Sequence, residues 1–131
     1  MIILKGNNDD ILSINLNDIL YKIENIEEYF WKLIWIEGVS YQIDILDFEN
    51  KVNKSSDGLL IDSEKLLEIS NSFYQLLELV LIGDENKDNL CKLEDDEKMK
   101  ENCDFFIELI DGAYWEITSK KSNFIKSIQL L

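Results

Sequence analysis

The sequence predicts an α+β fold: a single domain over residues 1–131, with a mixed or antiparallel sheet, one long central helix and shorter flanking helices. Three observations carry this expectation. Between Asp104 and Thr118 two apolar runs flank Asp111 and Gly112, a pair suited to the tight turn of a β-hairpin. Leu66, Ile69, Phe73, Leu76, Leu77 and Val80 recur at helical-turn intervals. Tyr29–Glu37 is dense in aromatic and β-branched residues and apolar on both faces, as a central strand is. A chain of 131 residues can bury roughly two thirds of its unfolded surface, enough for one core.

The elements follow in order. Met1–Lys5 reads as a short strand, and Ile11–Leu16 as another, with Leu12, Ile14 and Leu16 on one face. Asn17 can cap a short helix that carries Ile19, Leu20 and Ile23. In the Tyr29–Glu37 strand, Trp31, Leu33 and Trp35 alternate against Phe30, Lys32, Ile34 and Ile36. Residues Glu37–Ser40 read as a turn into a strand over Tyr41–Phe48, where Ile43 and Ile45 oppose Asp44 and Leu46. The polar Asn50–Gly58 stretch reads as a loop. Asp62 or Ser63 then caps the main helix, and Gly83 stops it. Asp84–Asn102 is polar, with helix over Asp95–Glu101. The hairpin follows, and Phe124, Ile125 and Ile128 mark a closing helix.

Composition narrows function. The chain has 27 acidic residues against 13 lysines, a formal net charge of −14, and no histidine, arginine or proline. Such a field repels nucleic acid and anionic membranes and attracts basic proteins. The missing arginine also fits simple coding bias. Met1–Leu4 is apolar only briefly before Asp9 and Asp10, so no signal peptide is expected. No apolar run approaches a membrane span. The expected location is the cytoplasm. Cys91 and Cys103, with no histidine beside them, supply neither a zinc site nor an activated thiol, and in a reducing cytosol they are not expected to pair.

Candidate sites each admit a structural alternative. Asp84, Asn86 and Asp88 fall on the first, third and fifth positions of a calcium loop. Asn89 stands where that loop needs glycine, and Asp95 where it needs glutamate. An ordinary solvated loop is the simpler account. Glu94, Asp95, Asp96 and Glu97 could meet lysines or arginines of a basic protein; they equally suit the first turn of a helix. Glu108 and Glu116 could face each other across the hairpin, and Asp44 and Asp47 form another carboxylate pair; among so many acids such pairs arise by chance. Trp31, Trp35, Tyr114 and Trp115 read as core rather than as base-stacking surface.

Three stretches carry a resemblance. Cys103–Ile117, followed by Ser119, Lys120 and a short helix, resembles the C-terminal end of small bacterial immunity proteins. These accompany contact-dependent growth inhibition and related polymorphic toxins. Gly58–Leu67 with Gln75 and Leu81–Asp84, and Tyr29–Glu37, are similar to the middle of the same proteins. About half the chain is covered, and no toxin-contacting residue is fixed by these motifs. The resemblance implies a cytoplasmic, non-enzymatic protein without cofactors that binds one toxin domain, often a basic nuclease, and blocks its active site. On charge alone, the contact residues expected are Asp84, Glu85, Asp88, Glu94, Asp95, Asp96 and Glu97, while Glu37, Asp44, Asp47 and Glu49 could serve equally well. The alternatives are an acidic nucleic-acid mimic or regulator of another basic protein, and a small carboxylate-based enzyme or calcium-binding module.

Overall fold

A computed structural model describes residues 1–5, 14–40 and 43–131, with backbone alone at 43 and 44. It is α+β, with an antiparallel sheet of six strands in the order β1-β6-β5-β4-β2-β3. The strands are β1 (Ile2–Lys5), β2 (Phe30–Val39), β3 (Leu59–Ile61), β4 (Gln75–Asp84), β5 (Phe105–Ile110) and β6 (Tyr114–Ser119). The helices among the described residues are α1 (Leu16–Leu20), α2 (Ile43–Asn53), α3 (Ser63–Ser70), α4 (Asp96–Asn102) and α5 (Ser122–Ile128).

The hairpin stands as the sequence predicts. Phe105–Ile110 pairs with Tyr114–Ser119, and Asp111 and Gly112 both take positive φ, at 52° and 62°. A left-handed backbone at both turn residues suits the twist of the flanking strands, and Asp and Gly tolerate it. Gly112 N–H also donates to Leu77 O at 2.7 Å, tying the turn to β4. Asp95 caps α4 through Glu97 N–H at 2.9 Å, and α5 buries Phe124 and Ile128.

The single long helix is not there. Its first half is α3, capped by Asp62, whose carboxylate accepts Lys65 N–H at 2.7 Å. It ends because Ser70, Asn71 and Ser72 turn their side chains back onto the carbonyls of Leu67 and Glu68. Such bonds compete with continued helix. The apolar run beyond, Leu76–Ile82, satisfies a helical and an extended pattern equally, and as β4 it lies between β2 and β5. Phe73, Leu76, Leu77 and Val80 therefore leave the helix. Gly83 is a strand residue, not a stop: a Cβ there would come 2.4 Å from the Trp31 ring.

The strand expected over Tyr41–Phe48 is replaced by α2, with Tyr41 outside the described residues. Ile45 and Val52 are buried and Phe48 half-buried, a helical spacing of three and four. Helix therefore continues to Asn53, where a loop was expected. Glu37–Val39 prolongs β2 in place of a turn. Past Leu33 the flank of β2 has no β3 partner. There α2 covers it: the Asn53 amide bonds both Ile36 N–H and Ile36 O, and Glu49 accepts Gly38 N–H at 2.9 Å. Side chains of a helix thus satisfy an open strand edge. Near the N-terminus Leu16 opens α1, and Asn15, not Asn17, is its cap; Ile11 and Leu12 lie outside the described residues.

One face of the sheet carries the main core. Trp31, Leu33, Ile36, Leu79, Leu81, Phe105, Ile107, Trp115 and Ile117 are buried there against residues of α1, α2, α3 and α5. The Trp115 indole N–H donates to Ile14 O at 2.9 Å. A smaller cluster occupies the other face, where Ile34, Ile82 and Phe106 lie beneath Leu90, Met99 and Cys103.

Candidate partner-binding face

The register of β2 breaks between Leu33 and Trp35. A bulge adds one residue and so reverses the parity of the residues after it, here through Glu37, beyond which the register with β4 shifts again. Ile36 consequently joins Trp31 and Leu33 in the main core, while Trp35 pairs with Val80 on the other face. The expected aromatic core is thus divided. Trp31 and Trp115 are buried; Trp35 is 37% exposed, and Tyr114 is half-buried.

The same parity places carboxylates beside Trp35. Glu37 stands opposite Glu78 across β2 and β4, and Glu108 stands opposite Glu116 across β5 and β6. Val80 lies between them, opposite both Trp35 and Glu108, and Ile3 of β1 continues the row beyond Glu116. Four adjacent strands therefore present two like-charged cross-strand pairs, an arrangement that costs stability. None of the ion pairs among the described residues includes any of the four glutamates. Burial pushes the Glu108 carboxyl above its usual range, and the charges of Asp96 and Glu116 push it further; Lys100 opposes them. The facing of Glu108 and Glu116 is as the sequence suggests. Its extension to Glu37 and Glu78 was hidden, because it depends on the bulge and on β4 being a strand.

The residues of the expected acidic contact loop have mixed roles. Asp84 is only 5% exposed. Its carboxylate accepts Asn86 N–H at 3.0 Å, the Asn89 amide at 2.9 Å and Asp104 N–H at 2.9 Å. It closes the turn after β4 and ties that turn to the start of β5. Asp95 is spent on its helix cap. Glu85 pairs with Lys121 at 3.0 Å, and Glu97 with Lys100 at 3.2 Å. Asp88, Glu94 and Asp96 are exposed. In the calcium-like segment Asp84 already faces three N–H donors, and Asn86 Oδ1 accepts Asp88 N–H at 3.0 Å. Among the described residues no three His, Cys, Asp or Glu side chains converge as metal ligands. Of the other acids, Glu37 belongs to the open face; Glu49 is held by Gly38 N–H, while its burial raises its pKa. Asp47 is an exposed residue of α2. The Asp44 side chain lies outside the described residues.

Cys91 and Cys103 are free thiols. Cys103 is buried, and burial, with the charge of Asp84 next, pushes its pKa up to about 12. That thiol stays protonated, the opposite of an activated nucleophile. A cleft of about 560 Å³ lies between α1, the end of α3 and the hairpin turn. Asn17 joins Ser70 and Asn71 at its polar side by hydrogen bonds, and Leu109 and Trp115 form its apolar side. Among the described residues no carboxylate lines it. Among the described residues no helix is long and apolar enough to cross a membrane. No family model, curated protein or solved structure matches the chain.

Proposed function

We propose that this protein is an immunity-type inhibitor. It binds a cognate basic toxin domain, of the nuclease kind, and blocks that domain's active site in the cytoplasm, with no catalysis or cofactor of its own. The observation that carries the reading is the open sheet face, where glutamates oppose one another and enter no ion pair among the described residues, in a chain of net charge −14. A face of this kind gains from meeting a basic protein, and its field speeds the encounter. The resemblance of about half the sequence to immunity proteins supplies the partner class. The protonated Cys103 thiol, the opposite of an activated nucleophile, supports a binding role over a thiol-based enzymatic one. The test is protection. Cells that express this chain should survive the toxin encoded by the neighbouring gene, and the two products should co-purify one to one. Failure of both would defeat the proposal.

A further inference from the structure

We infer that the docking surface is the open part of the sheet around Trp35, Glu78, Glu108 and Glu116, and that its occupant is a cationic protein segment. The inference rests on the reading above that the partner is a basic protein. It replaces the loop after β4 as the place of contact.

Three observations lead to this surface. First, it lacks a cover among the described residues. The second cluster covers the end of this face that holds Ile34, Ile82 and Phe106 and reaches as far as the partly buried Val80. Beyond it Trp35 is 37% exposed and Ile3 48%. Second, the apolar residues are interleaved with carboxylates that no ion pair among the described residues includes; of the cations on this face, Lys5 lies over the Tyr114 ring beyond Glu116. Lys100 pairs with Glu97 and lies over the Phe106 ring, and Lys32 is held by Asp57 and Leu90 O. Third, four of the seven loop acids are committed elsewhere: Asp84 to three N–H donors, Asp95 to a cap, Glu85 and Glu97 to lysines.

Charge selects the occupant. A second copy would set glutamate rows against glutamate rows. Nucleic acid and anionic lipid meet the same repulsion. A segment bearing arginine or lysine relieves both like-charged pairs, and Trp35 offers an aromatic face on which a guanidinium can stack. Spacing adds a shape requirement. The four glutamates lie on adjacent strands, which stand about 4.8 Å apart. Glu108 stands opposite Val80, so the Glu108–Glu116 pair is displaced by two residues along the strands from the Glu37–Glu78 pair. A helix rises about 5.4 Å per turn, and one that crosses the strands obliquely can bring basic residues to both pairs.

The experiment uses the full chain, isotopically labelled, titrated with hexa-arginine and, as the neutral isostere, hexa-citrulline. Amide shifts induced by hexa-arginine are expected along β2, β4, β5 and β6 and in the Trp35 indole, with little response to hexa-citrulline. The triple variant Glu78→Gln, Glu108→Gln, Glu116→Gln should weaken hexa-arginine binding about tenfold or more; Glu85→Gln, Asp88→Asn, Glu94→Gln removes the same charge and should weaken it by about twofold at most. Trp35→Ala should weaken it as well, without altering the response to hexa-citrulline. Equal losses in the two triples, a larger loss in the loop triple, equal binding of the two peptides, or no binding at all would overturn the inference. Loss of cellular protection with the peptide footprint intact would instead defeat the immunity reading and leave this surface standing.

Discussion

The two faces of the sheet are built from the same strands, residue by alternate residue, and they treat charge oppositely. On one face Trp31, Leu33, Leu79, Leu81, Ile107 and Ile117 are fully buried beneath helices, with no carboxylate among them. On the other, their immediate neighbours Glu78, Glu108 and Glu116 stand half-buried beside Val80 and Trp35. Burial on the first face holds the fold together. The second face spends some of that stability on repulsion between glutamates. The contrast teaches that the acidic character of this chain is not only a solvating shell; part of it is placed in registered opposition where a partner's cations can relieve it.

The contrast can be broken most severely on the covered face. Trp115→Ala removes a buried indole and its bond to Ile14 O, and should cost about 3–5 kcal/mol in urea unfolding. Gly83→Ala tests the same packing from the opposite side. Its methyl would press on the Trp31 ring, and a loss of about 1–3 kcal/mol is expected. Asp84→Ala comes next. It strips three N–H donors of their acceptor, at about 1–3 kcal/mol for each donor left buried and unsatisfied, and should loosen amide protection at Asn86 and Asp104. If Asp84 were instead a solvent-facing contact residue, its removal would leave stability unchanged.

The open face predicts smaller effects of opposite sign. Glu108→Gln should stabilise the free protein by a few tenths of a kcal/mol, up to about 1. Its pH dependence follows from the raised carboxyl. In the fold Glu108 holds its proton at pH values where the unfolded chain has lost it, so the folded state binds more protons there. Stability from this group therefore falls as pH rises from the ordinary glutamate value through the raised one. Asp104 and Glu49, raised chiefly by burial, act in the same direction. Asp57 acts in reverse. The Lys32 hydrogen bond lowers its pKa, and its contribution is lost only as pH falls below the ordinary aspartate range. Glu108→Gln should flatten the decline in the mildly acidic window and leave the acid limb alone, which unfolding curves across pH will resolve.

Those elements whose cause is local were legible in the sequence. Asp111 and Gly112 specify the hairpin because left-handed backbone is a property of those two residues. Asp62 announces α3 because a cap is satisfied within three residues, and the acids Asp95–Glu97 mark the start of α4 because they suit a helix N-terminus. The passages that misled are those where two periodicities coexist. Leu76–Ile82 is apolar but for Glu78 and fits either periodicity, so only its neighbours β2 and β5 decide that it is a strand. The three polar residues Ser70, Asn71 and Ser72 were the available stop signal. Ile43–Phe48 alternates like a strand over its first residues, and only the addition of Val52 reveals the helix. The candidate face was legible in half. Glu108 and Glu116 follow from the hairpin register alone; Trp35 and Glu37 need the bulge after Leu33, which no local signal marks, and Glu78 needs β4 to be a strand.

Urea unfolding of the Glu78→Gln, Glu108→Gln, Glu116→Gln variant beside the unaltered protein, at low and at high salt, tests most directly whether the open face is held against repulsion. The variant should be more stable by about 0.5–2 kcal/mol at low salt, and the gain should shrink as salt screens the glutamates. A variant no more stable than the original, or one whose gain is indifferent to salt, would contradict the account.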